Sequence, residues 1–281
     1  MPQTFRALLN SGKVILAPGV FDGLSAQLVE GAGYSAMYAS GGAISRAAGY
    51  PDLNVLSLTE VVERLEKIVS ATALPVIADA DTGFGGAANI DRTVRLFARA
   101  GVAALHIEDQ VFPKRCGRLS GKSIIPIDEM CHRLRVARHA IGSGDVVLIA
   151  RTDANSEEGF EAALTRVKAY ESMDVDMVFV EGVASAAEIE RLGTEIKVPK
   201  LINMYYGGKT PLMPTEALQQ AGVRVVIVPS DLQRAAAKAM QRTLHALKED
   251  GHSRAVAHDL ISVAERDSIS RTSEYIALDN L

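Results

Sequence analysis

Residues 75–86 read Pro75-Val76-Ile77-Ala78-Asp79-Ala80-Asp81-Thr82-Gly83-Phe84-Gly85-Gly86. A short apolar run ends in carboxylates, a glycine-rich turn follows, and Val94 and Phe97 then recur at helical spacing. This is the pattern of one strand–loop–helix unit. The run does not alternate apolar and polar residues, so the strand is expected to be buried on both faces, as parallel strands are.

The unit recurs along the chain. Comparable runs stand at Val14–Ala17, Ala36–Ala39, Ala104–Ile107, Val146–Ala150, Met177–Val180, Lys200–Asn203 and Val223–Val228. Helical spacing follows each, as in Val61-Leu65-Ile68 and Phe160-Leu164-Val167, and Gly33, Gly101 and Gly222 suit helix C-caps. Eight units, roughly 30 residues apart, predict an α/β fold of the (β/α)8 TIM-barrel type with parallel strands. The competing open doubly wound sheet lacks its Gly-x-Gly-x-x-Gly turn after the first strand. Residues 1–255 are expected to form the barrel and catalytic domain. The polar, weakly periodic residues 256–281 are expected to form a C-terminal helical tail, either part of that domain or a subunit contact.

Composition narrows the function classes. The chain has 281 residues, 48% hydrophobic and 23% charged, which excludes a disordered chain. With 30 Lys+Arg against 34 Asp+Glu its formal net charge is −4, which speaks against a nucleic-acid partner. Two cysteines cannot staple such a chain, so a reducing compartment is expected. The N-terminus lacks the pattern of a secretory leader, and no apolar run nears the ~20 residues of a membrane span. A cytoplasmic protein without a membrane partner is the expectation.

In such a barrel the active site lies at the C-terminal ends of the strands. There the runs end in Asp79 and Asp81, in Glu108, in Arg151, in Glu181 and in Asn203. One such ending is ordinarily a cap or a solvated rim; five at one mouth point to a site. Asp79 and Asp81, two apart, are expected on the same side of the strand. With Glu108 they form an all-oxygen set without a His or Cys pair, which suits Mg²⁺ or Mn²⁺. The alternative is a hydrogen-bonded acid pair without metal. Arg151 offers a planar fork to a carboxylate, or else a salt bridge to a neighbouring acid. Ser40-Gly41-Gly42 can turn backbone N–H groups toward an anion, or be a plain loop.

Residues 110–123, QVFPKRCGRLSGKS, are too long and too rich in Gly and cations for a minimal loop and read as a mobile lid. Lys114, Arg115 and Arg118 flank Cys116 and are expected to lower its pKa, making it a proton donor or nucleophile. The alternative is a small buried hydrophobe, which is the reading for Cys131. His106, inside a strand, reads as core. No Ser-His-Asp pattern is found.

Taken in order, Tyr38-Ala39-Ser40-Gly41-Gly42, Pro51-Asp52-Leu53, Asp79 to Gly85, Glu108-Asp109-Gln110, Lys114-Arg115-Cys116-Gly117, Ala150 to Ala154, Glu181, Asn203-Met204 and Gly207 to Pro211 form a specific combination. From about Phe5 to Gly251 the chain resembles the isocitrate lyase/phosphoenolpyruvate mutase superfamily, most of all its short carbon–carbon lyase members. The resemblance implies a barrel whose final helix is exchanged between subunits, commonly in homotetramers. It implies Mg²⁺ at Asp79, with Asp52, Asp81 and Glu108 in support, partly through water. Ser40, Gly41, Gly42 and Arg151 would bind the keto- or hydroxy-acid end. Lys114 and Cys116 would act from a gating loop, with Cys116 as the acid and Tyr38 as the base. Arg115, Gly117, Arg118, Glu181, Asn203 and Tyr206 would complete the substrate pocket.

Two positions depart from the lyase pattern: Arg118 replaces a His and Tyr206 a Glu, both where the leaving fragment should be recognised. The implied reaction is Mg²⁺-dependent cleavage of a 2-hydroxy di- or tricarboxylic acid, like 2-methylisocitrate or dimethylmalate, to an α-keto acid such as pyruvate plus a second carboxylic acid. The alternatives are an oxaloacetate hydrolase or decarboxylase, a phosphonate P–C mutase, and a keto-acid-binding protein without turnover.

Overall fold

A computed structural model describes residues 4–280 of the chain. Residues 1–3 and 281, the outer ends of the two expected segments, lie outside it. The strands are β1 (Ile15–Val20), β2 (Met37–Ala39), β3 (Val76–Asp79), β4 (Ala104–Glu108), β5 (Val147–Thr152), β6 (Met177–Val180), β7 (Lys200–Asn203) and β8 (Val223–Val228). They pair in chain order into a closed barrel, parallel throughout, with β8 returning to β1. Each expected run is a strand, and the fold is the (β/α)8 barrel.

The helices are α1 (Phe5–Asn10), α2 (Gly23–Gly31), α3 (Gly41–Ala47), α4 (Leu58–Ser70), α5 (Ala87–Ala100), α6 (Ile127–Ile141), α7 (Asn155–Glu158), α8 (Phe160–Glu171), α9 (Ala186–Glu195), α10 (Thr215–Gln220), α11 (Asp231–Asp250), α12 (Val263–Ile269) and α13 (Thr272–Leu278). Their starts follow local chemistry. Ser57 and Glu60 close a capping box on α4, whose Leu58, Val61, Val62, Leu65 and Ile68 face the sheet. α5 ends on Gly101 in the left-handed region.

Two apolar layers result. Ile77, Val147, Ile149, Phe179, Leu201 and Val225 fill the barrel interior, closed below by Phe5 and Leu9 of α1. Val76, Ala78, Leu105, Ile107 and Leu148 point outward and pack with the helices. Both faces of the strands are therefore buried, apart from the exposed Leu16 of β1, which is why the runs do not alternate. The expected boundary at 255/256 falls inside a 3₁₀ helix, Arg254–Asp259. Beyond it α12 and α13 bury no residue of their own; α12 packs on α2, and Arg271 reaches Glu30 at 3.1 Å. Among the described residues no helix is long and apolar enough to cross a membrane.

Candidate active site

The interior residues Ile77, Ile149, Phe179 and Leu201 fix which side of each strand faces inward. Two positions on, Asp79, Arg151, Glu181 and Asn203 face the same way. With Tyr38, Ser40, Asp52, Lys114, Cys116 and Arg118 they line a cavity of about 350 Å³.

Asp79 closes β3, but Asp81 lies beyond its end with φ of 48°. The expectation that strand spacing puts the two on one side therefore fails. A tight turn gathers them instead: Asp79 Oδ1 accepts from the Asp81 N–H at 3.0 Å. Gly83 needs its positive φ here, and a Cβ on it would lie 2.4 Å from Ile90 Cγ1. Lys114 Nζ sits 2.6 Å from Asp52 Oδ1 and 2.8 Å from Asp81 Oδ1, although its angle to Asp81 makes no hydrogen bond. Asn54 Nδ2 donates to Asp81 Oδ2 at 2.7 Å.

Beside Asp79 stand Tyr38 and His106. Tyr38 Oη donates to Asp79 Oδ2 at 3.3 Å and lies 2.9 Å from His106 Nε2. His106 is wholly buried between the Tyr38 and Phe179 rings, and burial lowers its pKa to about 4, so it is neutral at neutral pH. The core reading of His106 thus stands, behind Tyr38 and Phe179, which line the cavity. Burial first, then the Asp79 charge, holds the Tyr38 phenol well above its ordinary range, against Arg151 and Lys114.

The carboxylates outnumber their cations. Burial, with Asp79 and Asp52 nearby, raises Asp81 despite Lys114, and burial raises Glu108 despite Arg151. Asp79 goes the other way: in spite of burial, His106, Lys114 and Arg151 lower it. With His106 neutral at neutral pH, Lys114 and Arg151 are its lasting partners. Asp81 Oδ1 and Glu108 Oε2 are each met by a single cation, Lys114 at 2.8 Å and Arg151 at 3.1 Å. The surplus of negative charge that remains fits a divalent cation at this place. Among the described residues, however, no three His, Cys, Asp or Glu side chains converge as direct ligands. Of the four expected acids only Asp79 and Asp52 line the cavity, and Asp81 and Glu108 lie behind them. That narrows the ligand set and suits Mg²⁺, which takes one or two carboxylates and fills its other positions with water or substrate oxygens.

Ser40 caps α3 by accepting from Ala43 N–H, and its own N–H bonds Val20 O. A Cβ on Gly41 would stand 2.8 Å from Asp79 Oδ2, and one on Gly42 2.7 Å from Asp52 Oδ2. The two glycines let this backbone lie against the acids. Arg151 meets both alternatives set out for it. Nε and Nη2 bond Asp153 at 2.9 and 3.2 Å, Nη1 lies 3.1 Å from Glu108 Oε2, and the group still lines the cavity over the Phe179 ring. Glu181 accepts from Asn203 Nδ2 at 3.2 Å.

The cysteine loop lies over the mouth. Cys116 lines the cavity together with Asp52, and Arg46 Nη2 donates to its sulfur at 3.8 Å. Burial and Asp52 push its thiol up, which reverses the expected lowering. The cations next to it in sequence point elsewhere: Lys114 to the acids, Arg115 along the loop to Ser120 O. Arg115, expected at the substrate, is turned out of the cavity, because Gln110 grips its N–H and carbonyl at 2.9 Å each. Gly117, Arg118 and Tyr206 line the cavity, the last 75% exposed at its rim. Cys131 is buried in α6, as expected.

Arg46, Asn54, Lys122 and Tyr205 also stand at the site without a role expected from sequence, and Asp153, part of the fifth strand-end motif, gains one as the partner of Arg151. Asp153 carried a signal, two residues after Arg151 on the same face. Asn54 and Lys122 are single polar residues in loops and carried none.

Residues 5–248 match the family described as Phosphoenolpyruvate phosphomutase. The chain is 38% identical to 2-methylisocitrate lyase of Bacillus subtilis (strain 168) over 275 residues, 98% of this chain and 91% of that one. It is 38% identical to 2,3-dimethylmalate lyase of Eubacterium barkeri over 261 residues, 92% of this chain and 90% of that one. Among solved structures, oxaloacetate acetylhydrolase with the inhibitor 3,3-difluorooxalacetate superposes with a TM-score of 0.93 at 32% identity, covering 99% of this chain and 96% of that one. Phosphonopyruvate hydrolase, solved with oxalate and Mg²⁺, superposes with a TM-score of 0.88 at 29% identity, covering 98% and 96%.

Proposed function

The chain belongs to the phosphoenolpyruvate mutase/isocitrate lyase superfamily, and on that premise we propose that it is a Mg²⁺-dependent carbon–carbon lyase. It cleaves a 2-hydroxy di- or tricarboxylic acid to pyruvate and a second carboxylic acid. The observation that carries the reading is Cys116: a protonated thiol set over a cavity that also holds Asp79 and Arg151. A carbanion released there has a proton donor within the same chamber.

Asp79 would hold the cation, with Asp52, Asp81 and Glu108 around it. A bound divalent cation supplies positive charge that keeps these acids ionised, offsets the Asp79 charge opposing Tyr38 ionisation and stabilises a developing oxyanion. Arg151 and the Gly41-Gly42 backbone hold the C1 carboxylate of the substrate. Tyr38 takes the hydroxyl proton as its own passes to His106 Nε2, 2.9 Å away. The C2–C3 bond breaks, its electron pair passing to the carbon next to the second acid's carboxylate, and Cys116 gives that carbon its proton. Lys114, paired with Asp52 and Asp81, keeps the loop seated on the acids. Burial of the chamber keeps water from the carbanion.

Arg118 and Lys209, both without an ion pair or side-chain hydrogen bond among the described residues, flank an annex of the cavity with Ser156 and Thr210. Two cations there support a leaving fragment with a carboxylate of its own, which favours a tricarboxylate such as 2-methylisocitrate. In the same reading the chain acts in the cytoplasm as a homo-oligomer, a tetramer with exchanged tails. Its two free cysteines and the exposed Met240, Leu244, Tyr275 and Ile276 support this; sedimentation measures it.

The test is a panel of 2-methylisocitrate, 2,3-dimethylmalate, isocitrate, citramalate and oxaloacetate with Mg²⁺ and with EDTA. Pyruvate plus succinate from the first, abolished by EDTA, is expected. Oxalate plus acetate from oxaloacetate alone would point to a hydrolase, and inertness toward all five to a binding protein.

A further inference from the structure

Lys122 takes part in none of these steps, yet its side chain is fully buried. A buried ammonium is strongly unfavourable unless protein groups replace its water. Its Nζ donates to the Gly117 carbonyl at 2.6 Å and to Asp153 Oδ1 at 3.2 Å. Gly117 is the residue next to Cys116. Asp153 is the acid that holds Arg151 through Nε and Nη2. One ammonium thus joins the backbone of the cysteine loop to the arginine of the barrel wall.

The surroundings favour a latch over a simple filler. Just beyond Lys122 the two ends of the loop pair: Val111 N–H bonds Ser123 O at 2.8 Å, and Gln110 bridges Ile124. This neck fixes where Lys122 stands, and the side chain reaches from it to the tip. There the fit is close, since a Cβ on Gly117 would lie 2.8 Å from Arg151 Nη2. The loop backbone can rest on Arg151 only if something draws the Gly117 carbonyl inward, and Lys122 Nζ is the donor that meets it.

We propose that Lys122 is a positioning residue that latches the Cys116 loop over the cavity and, through Asp153, ties its closure to the placement of Arg151. The latch rests on the geometry of the loop; only its effect on turnover rests on the lyase reading.

The test is alkylation of Cys116 by iodoacetamide, followed by peptide mass spectrometry, with neither substrate nor cation present. Lys122→Met keeps the stem and removes the donor; Lys122→Arg keeps a cationic donor. Cys116 should react at least about tenfold faster in Lys122→Met than in the parent, and return to within about threefold in Lys122→Arg, as expected for losing and restoring a charged hydrogen bond. On 2-methylisocitrate the kcat should fall in the first variant and recover in the second. An unchanged Cys116 rate in folded Lys122→Met overturns the latch, whatever the substrate proves to be. Inactivity of the parent, with the labelling difference present, counts against the lyase reading alone. Should Lys122→Met not fold, the parent decides. Acetic anhydride should modify Lys122 at least about tenfold more slowly than exposed Lys197, given burial of its ammonium. Equal rates overturn the proposal.

Discussion

At the residue scale, Cys116 shows how a side chain's charge environment is set by neighbours in space. Burial, with Asp52 from 64 positions upstream, raises its thiol against the lowering by its sequence neighbours Arg118 and Lys114. The alkylation rate of Cys116 against pH should therefore have its midpoint above that of a free thiol, and Asp52→Asn should bring it down. A midpoint below the free thiol would restore the thiolate expected from sequence. Arg118 carries a second prediction at this scale. Arg118→Met should raise the KM for 2-methylisocitrate about tenfold, in line with losing one charged partner. The KM for 2,3-dimethylmalate, whose leaving fragment lacks the extra carboxylate, should barely move. Equal changes for both acids would remove Arg118 from the distal end of the substrate.

At the scale of elements, the turn after β3 does what strand spacing was expected to do. Gly83→Ala forces a Cβ onto Ile90 at positive φ and should lower stability by about 1–3 kcal/mol in urea unfolding. Gly86→Ala, with open space around its Cβ, should lower it far less. Similar losses at both positions would contradict the strain assigned to this turn. The strands were legible because residues on both their faces are buried, so most appear as nearly unbroken apolar runs, as in Met177–Val180, with His106 and Arg224 as polar interruptions. The site was legible in part, because strand-end residues such as Arg151 and Glu181 stand where the barrel must place them. Asp81 was misplaced because nothing local marks Asp79 as the last strand residue. Asn54 and Lys122 escaped notice because a polar loop residue reads the same whether it faces water or a buried carboxylate. Only the crossing of distant segments, Asn54 onto Lys114 N–H or Lys122 onto Asp153, distinguishes the two.

For the whole molecule, the inward face of the barrel passes from an apolar floor to a charged mouth, with His106 at the boundary. Burial lowers the folded pKa of His106 to about 4, so the unfolded chain binds its proton more readily. The stability it contributes is complete above its unfolded pKa of about 6.5 and is lost as pH falls from there toward 4. In EDTA, moving from pH 7 to pH 5 should cost the parent about 2 kcal/mol more than His106→Gln; the variant subtracts the carboxylates' share. Identical losses in both would show that His106 is not the responsible group.

The central claim is carbon–carbon cleavage with Cys116 as the proton donor. Its most direct test is ¹H NMR of the products formed from 2-methylisocitrate and Mg²⁺ in D₂O. Pyruvate and succinate carrying one deuterium should appear in equal amounts, and Cys116→Ser should slow both by about 10²–10⁴-fold. Undiminished turnover in Cys116→Ser, or products other than this pair, would contradict it.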